Sequence, residues 1–109
     1  MFSLYEKSTF GCSKLVTELY STSFSLGIKT LNKRFHEPIY GIYGFVRFAD
    51  EIVDTFHEFD KKYLLEKFKS DTYEAIETGI NLNPILHSFQ KIVHQYQIDR
   101  ELIDAFLYS

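Results

Sequence analysis

Residues 39–56 constrain the fold more than any other stretch of this chain. If they form a helix, at ~100° per residue, Tyr43, Arg47, Asp50 and Asp54 fall within an arc of about 60°. Apolar residues cover most of the remaining surface: Ile42, Phe45, Val46, Phe48, Ala49, Ile52, Val53 and Phe56. A helix that is apolar on most sides is typical of a buried position, where carboxylates are costly unless they are paired or bind a metal. The segment therefore predicts a buried central helix whose polar stripe lines an internal, hydrated cavity.

The composition predicts one folded domain. The chain has 109 residues, of which 45% are hydrophobic and 17% aromatic, which supplies a core and argues against disorder. The net charge is −3, and the Lys and Arg residues are dispersed along the sequence, so nothing favours a nucleic-acid partner. Cys12 is the only cysteine; it fits a reducing cytosol and is predicted to be a small core residue. We find no signal-peptide pattern and no apolar run long enough to span a membrane, and we expect a cytoplasmic protein.

The periodicity of apolar residues predicts six helices and no strands. The first predicted helix is 9–19, with Ser8 or Thr9 as N-cap, and the second runs from Ser21 or Thr22 to about residue 31. The third is capped by Asn32 or, because of Pro38, begins near residue 37, and it continues to about residue 56. The last three are 61–78 between Asp60 and Gly79, 84–96 after Asn83, and 100 onward after Asp99. The sixth helix is apolar and continues to the end of the sequence without a Gly or a basic C-terminal cap. We therefore interpret residues 1–109 as a single all-α unit and expect it to be the N-terminal part of a larger domain.

Two motifs carry a family resemblance. They are Tyr20-Ser21-Thr22-Ser23-Phe24-Ser25 and, after a spacer, Ile42-Tyr43-Gly44-Phe45-Val46-Arg47-Phe48-Ala49-Asp50-Glu51-Ile52-Val53-Asp54. With them the chain resembles the squalene and phytoene synthase family from about residue 12 to 109, and it looks most like bacterial phytoene synthases. Family members commonly have His at the position of Tyr20 and Asp at that of Glu51, so the role of Tyr20 is open.

The resemblance implies an all-α isoprenoid-synthase helical bundle that joins two prenyl diphosphates head to head. It implies a Mg²⁺ cluster between two aspartate-rich motifs, of which this sequence holds the first. The expected reaction of the complete enzyme is geranylgeranyl diphosphate to phytoene in carotenoid biosynthesis, and we expect these 109 residues alone to be inactive. Three alternatives stay open: a squalene or dehydrosqualene synthase, a non-catalytic prenyl-diphosphate-binding module, and a helical interaction module.

Asp50 and Asp54 are the expected metal ligands. They are separated by one helical turn, and Mg²⁺ is typically held by one or two carboxylates together with substrate phosphates. The resemblance assigns Arg47 to the substrate phosphates, which its planar guanidinium suits. The alternative for Arg47 is a structural ion pair with Asp50 or Glu51. Glu51 points roughly 100° away from Asp50 and is expected to form a salt bridge or to support the site from outside the ligand shell.

The remaining site predictions concern the second helix and Tyr43. Ser21, Ser23 and Phe24 are predicted to bind substrate at a helix start, where free N–H groups can hold an anion. Ordinary N-capping by Ser21 with a core Phe24 is the alternative. By resemblance Tyr43 is catalytic, since its ring or hydroxyl would steady a carbocation or move a proton; a buried structural tyrosine is the alternative.

Two glycines and the expected cofactors complete the predictions. Gly41 and Gly44 each cost the central helix ~1 kcal/mol relative to Ala, which either close helix packing or room for a prenyl chain would explain. Mg²⁺ is the expected cofactor, with NADPH only for a squalene synthase. Prenyl diphosphates are the expected partners. A greasy product favours peripheral membrane association, and the oligomeric state is left open.

Overall fold

The computed structural model describes residues 2–108, which form six α-helices and one short 3₁₀ turn, with no strand in that range. The helices are α1 (Phe2–Tyr20), α2 (Thr22–Lys29), α3 (His36–Asp54), α4 (Lys61–Thr78), α5 (Pro84–Tyr96) and α6 (Arg100–Tyr108), and the 3₁₀ turn is Lys33–Phe35. The prediction of an all-α fold is confirmed. None of these helices is both long enough and apolar enough to cross a bilayer.

Short-range capping interactions explain the boundaries of α4 and α5, which lie where the sequence predicted them. The Asp60 carboxylate accepts the Tyr63 N–H at 3.0 Å, and Gly79 ends α4 with a φ of 76°. The left-handed region suits glycine because it has no Cβ. The Asn83 side chain likewise accepts the Ile85 N–H at 3.0 Å at the start of α5. Each boundary depends on residues only a few positions apart.

The predicted start of α1 is wrong. The helix begins seven residues before Thr9, and Thr9 is a buried position within it. The Thr9 hydroxyl donates back to the Glu6 carbonyl at 2.8 Å instead of capping a helix that begins there. A threonine hydroxyl can bond either to a helix start or to the preceding turn, and the sequence did not show which.

The start of α3 follows the second of the two predicted alternatives. Asn32 caps the 3₁₀ turn, where its side chain accepts the Arg34 N–H at 3.0 Å, and α3 begins at His36. Pro38 therefore lies in the first turn of α3, where a missing N–H costs little. The helix ends at Asp54, two residues before the predicted Phe56, and the Lys61 ammonium donates to the Val53 carbonyl at 2.7 Å.

Helix α3 lies at the centre, where α1, α4 and α5 pack against it. The core is built around Phe45, whose ring stacks on Phe89 with centroids 3.8 Å apart and on Phe68 at 5.3 Å. Buried residues from α3 to α6 surround these rings: Ala49, Ile52, Ala75, Leu86, Val93, Ile103 and Leu107. The three rings thus join α3, α4 and α5, and α6 packs on the same core through Ile103 and Leu107.

Close helix packing explains the two glycines of α3. A Cβ on Gly44 would lie 3.1 Å from the Ser13 Oγ of α1, and a Cβ on Gly41 would lie 3.1 Å from the Ile92 Cγ1 of α5. The Ser13 hydroxyl also bonds to that of Ser88 on α5 at 2.6 Å. Helices α1 and α5 therefore approach α3 at positions that have no side chain.

The prediction that Cys12 is a core residue is wrong. The buried face of α1 passes through Thr9, Ser13 and Thr17, four residues apart, and Cys12 lies exposed on another side of the helix. A small apolar side chain gives no directional signal, so its burial depends on which face of α1 meets α3.

Candidate functional site

The tertiary structure brings the two sequence motifs together on one side of α3. A break at Ser21 separates α1 from α2, so that the end of α1 and the start of α2 both contact the middle of α3. The Phe24 and Tyr43 rings stack with centroids 5.1 Å apart and an interplanar angle of 25°. The Arg47 guanidinium lies over the Tyr20 ring, with its Cζ 5.0 Å from the centroid.

Arg47 is the centre of a small charged cluster. Its Nη2 lies 3.5 Å from Glu51 Oε2 and 3.7 Å from Asp54 Oδ2. The Arg47 and Glu51 side chains are 24% and 15% exposed, whereas that of Asp54 is 64% exposed. The Arg47 Nε is buried and has no hydrogen-bond partner among the described residues. The carboxylates therefore hold the guanidinium through Nη2, and the Nε–H remains without an acceptor among the described residues.

Neighbouring groups determine the charge states in this cluster. The Thr55 side chain and the Tyr20 hydroxyl hold the pKa of Glu51 below its usual range, and the Arg47 charge acts in the same direction. The hydrogen bond between Tyr20 and Glu51 also raises the pKa of Tyr20, because the Glu51 carboxylate accepts from the neutral phenol and so favours its protonated form. Burial of the hydroxyl and the Glu51 charge act in the same direction, and the Arg47 charge opposes them. At neutral pH the cluster therefore contains a carboxylate, a neutral phenol and a cation.

Asp50 and Asp54 lie on successive turns near the end of α3, and both are exposed. Together they line an open cavity of about 350 Å³, to which Lys69 of α4 and Phe106 of α6 also contribute. Among the described residues no group of three or more His, Cys, Asp or Glu side chains could enclose a metal. Two carboxylates on one face fit a Mg²⁺ ion that takes its other ligands from phosphate and water, but not an all-protein metal site.

The structure shows local roles for the other predicted site residues. The Ser21 hydroxyl accepts the Phe24 N–H at 3.2 Å, so the capping role of Ser21 is confirmed and its phosphate role stays a prediction. Ser23 is exposed and, with Phe24, lines an open groove between α2 and α3. Tyr43 is half-buried against Phe24, which leaves its catalytic role a prediction.

The prediction that the polar stripe of α3 lines an internal cavity is wrong for the described chain. The buried positions of α3 lie mainly on one side of the helix: Tyr40, Gly41, Gly44, Phe45, Ala49 and Ile52. Val53, predicted to be buried, is 52% exposed, and Asp50 and Asp54 also contact solvent. Among residues 2–108, the neighbouring helices cover only part of the surface of α3, so some of its apolar side chains remain exposed.

The ion pair given as the alternative role of Arg47 is present with Glu51, four residues further on, a spacing that makes two side chains neighbours on a helix. The role of Arg47 in binding phosphate stays a prediction. Arg47 has a second partner, Asp54, which was not predicted. The contact of Arg47 with Tyr20 was not predicted. The two residues are 27 positions apart, and no local pattern relates them. The family resemblance indicated only that Tyr20 stands where members commonly have His.

Comparison with known proteins supports the interpretation of the two motifs. A family model described as squalene/phytoene synthase matches residues 17–108, a range that contains both motifs and the whole cluster around Arg47. No curated protein and no solved structure matches the chain.

Proposed function

The chain belongs to the squalene/phytoene synthase family, and from this premise we propose that it forms the first aspartate-bearing wall of a Mg²⁺-dependent prenyltransferase. The complete enzyme would join two prenyl diphosphates head to head. The observation that carries the proposal is the position of Arg47, which is held by Tyr20 and Glu51 beside two exposed carboxylates. A preorganised cation next to such carboxylates suits a site for a metal-bound diphosphate.

Arg47 would bind the diphosphate and release Asp54 in the same step. The Arg47–Asp54 pair is long, at 3.7 Å, and the aspartate is mostly exposed, so the pair contributes little to stability. A phosphate oxygen that accepts from Nε and Nη2 would make shorter, charge-assisted hydrogen bonds and satisfy the buried Nε. Asp54 would then be available, with Asp50, to hold the metal ion. Magnesium, when bound, would neutralise the charge of the leaving diphosphate.

Phe24 and Tyr43 would form the wall next to the reacting end of the prenyl group. Their stacked rings are contiguous with the Arg47 cluster along α3, and a ring face attracts a cation. An aromatic wall also keeps water away from an allylic cation, which water would quench. Ser21 and Ser23, which flank the start of α2, would add hydroxyl donors to the phosphates.

Phytoene synthesis from two geranylgeranyl diphosphates is the product assignment that we favour, on the resemblance to bacterial carotenoid enzymes. A squalene or dehydrosqualene synthase is the alternative, and only a squalene synthase would need NADPH. We propose a cytoplasmic enzyme that associates peripherally with membranes, since its product would be insoluble in water.

A non-catalytic prenyl-diphosphate-binding module is the second candidate. The small number of metal ligands among the described residues favours this candidate, since Asp50 and Asp54 can supply only part of a magnesium cluster. For the same reason we expect these 109 residues alone to bind diphosphate without turning it over. Under the prenyltransferase proposal, residues 1–109 form a single helical unit at the start of a larger synthase domain, and product formation by the isolated chain would refute this.

Calorimetric titration of the chain with inorganic pyrophosphate, with Mg²⁺ and with EDTA, tests the proposal. Arg47→Gln removes hydrogen bonds between charged groups and should weaken Mg²⁺-dependent binding roughly ten- to hundredfold. Asp50→Asn should also weaken it, whereas Asp71→Asn, which changes a carboxylate paired with Lys67 on α4, serves as the matched control. In the complete synthase, Asp50→Asn should abolish Mg²⁺-dependent turnover and leave the circular dichroism unchanged. Near-normal activity of that variant would remove Asp50 from the site.

A further inference from the structure

A second cleft opens at the other end of α3. It has a volume of about 430 Å³ and lies between the middle of α1, the end of α2, the 3₁₀ turn and the start of α3. Four lysines and a histidine line it, namely Lys7, Lys14, Lys29, Lys33 and His36, and we call it the lysine cleft. We propose that the lysine cleft is a binding site for a phosphate-bearing ligand.

The charge of the lysine cleft is opposite to that of the chain. The chain has 12 Lys and Arg residues against 15 Asp and Glu, and its net charge is −3. The cleft nevertheless collects four of these cations and a single carboxylate, Glu37. None of the four lysines forms an ion pair with another described residue, whereas Lys67 and Lys91 both do.

General features of helices explain only part of this concentration. Lys29 lies in the last turn of α2, where a cation is favoured by the helix dipole. Lys7 and Lys14 come from one helix, two turns apart, and Lys33 comes from the 3₁₀ turn. Like charges that converge on one concavity repel one another within a Debye length of ~8–10 Å, so the arrangement is unfavourable without an anion. A bound phosphate would remove that repulsion.

The floor of the cleft is buried, while its four lysines are exposed. The rings of Phe10 and Tyr40 are buried beneath it, and Gly11 leaves open space where a side chain would stand. His36 is held by its Nε2, which lies 2.9 Å from the Leu31 carbonyl. A buried apolar floor with exposed ammonium groups around it accommodates a phosphate that is attached to an apolar group.

The lysine cleft is distinct from the aspartate site and needs no metal. The ten residues from Tyr40 to Asp50 place the two sites ~15 Å apart along α3. A soluble phosphate or diphosphate and the headgroup of an anionic lipid both present negatively charged phosphate oxygens. Both would be recognised by ammonium groups and lost at high salt.

Two binding measurements on the 109-residue chain in EDTA test the site and distinguish these sources. The first is calorimetry with inorganic pyrophosphate. The second is co-sedimentation with phosphatidylcholine vesicles, with and without phosphatidylglycerol. The test variant is Lys14→Gln/Lys33→Gln. The control is Lys62→Gln/Lys67→Gln, which has the same net charge and changes α4 instead.

We expect the test variant to bind at least one probe roughly tenfold or more weakly than the control, since each lysine contributes about a fivefold factor near an anionic surface. Pyrophosphate binding that depends on the two lysines would identify a soluble ligand. Dependence seen only with phosphatidylglycerol vesicles would identify a lipid headgroup. Equal binding by the two variants, or binding of neither probe by the unaltered chain, would overturn the proposal. Both measurements are made in EDTA, where the Mg²⁺-dependent aspartate site does not contribute, so the outcome is independent of the prenyltransferase assignment.

Discussion

Replacing Gly44 with alanine tests the close approach of α1 to α3, on which the position of Tyr20 over Arg47 depends. The added Cβ would lie 3.1 Å from the Oγ of Ser13, 3.2 Å from its Cβ and 3.4 Å from its Cα. Ser13 is fully buried, and its hydroxyl is bonded to Ser88. The side chain therefore cannot rotate away without breaking a buried hydrogen bond, and part of the strain must move the backbone of α1.

Two opposing effects determine the magnitude. Alanine is favoured over glycine in a helix interior by ~1 kcal/mol, whereas overpacking a close contact costs typically about 1–3 kcal/mol. For Gly44→Ala the free energy of unfolding should therefore stay the same or fall by up to about 2 kcal/mol. Gly11→Ala is the matched control, since Gly11 lies within α1 and a Cβ added there would meet nothing within 4 Å beyond its chain neighbours and the backbone of its own helix. That variant should gain the full ~1 kcal/mol.

Urea and thermal unfolding followed by circular dichroism measure the difference between the two variants. A gap of about 1–3 kcal/mol corresponds to several degrees in Tm for a domain of roughly 100 residues, at about 4–8 °C per kcal/mol. Combining Gly44→Ala with Ser13→Ala should give a smaller loss than the sum of the two single variants, because the Oγ contact is gone. If Gly44→Ala is as stable as Gly11→Ala, then α1 does not approach α3 as closely as described.

Three further predictions concern titration, burial and exposure. Tyr20→Phe removes a hydroxyl that helps to keep the pKa of Glu51 low in the folded chain. A carboxyl whose pKa is lower in the folded than in the unfolded state stabilises the fold at neutral pH, and this stabilisation is lost as the pH falls and the carboxylate is protonated. Between about pH 7 and about pH 3, the free energy of unfolding measured by urea titration should therefore fall less for the variant than for the unaltered chain. An equal fall would contradict the contact between the Tyr20 hydroxyl and Glu51. His87 is wholly buried and its Nδ1 accepts the Asn81 N–H at 3.2 Å, so His87→Leu should cost about 1–3 kcal/mol in the same titrations, and no measurable change would argue against this bond. Cys12 should react completely with a water-soluble aromatic disulfide in the native chain, and protection until urea is added would place it in the core.

The sequence predicted best the features that depend on neighbouring residues. The bounds of α4 and α5 follow from Asp60, Gly79 and Asn83, whose capping bonds involve residues within four positions. The ion pair of Arg47 with Glu51 has the same origin, since a spacing of four residues places two side chains together on any helix. Such contacts form whatever the rest of the chain does.

Predictions about burial were less successful, because they depend on which helices cover a given face. The apolar pattern of α3 suggested a helix enclosed on most sides, but Val53 and Asp54 are largely exposed. Cys12 was expected in the core because of its residue type, and the packing face of α1 leaves it outside. Periodicity defines the angle of a side chain around its own helix and not the neighbour that it meets.

The sequence alone therefore determined the number of helices, the bounds and caps of α4 and α5, the angular order of Tyr43, Arg47, Asp50 and Asp54 on α3, and the family resemblance. Only the tertiary structure decided that Tyr20 contacts Arg47 and that lysines dispersed along the sequence gather in one cleft. The first set depends on hydrogen bonds and helical spacing within a few residues. The second depends on how close α1 can come to α3, which the missing side chain of Gly44 and the bond between Ser13 and Ser88, 75 positions apart, determine together.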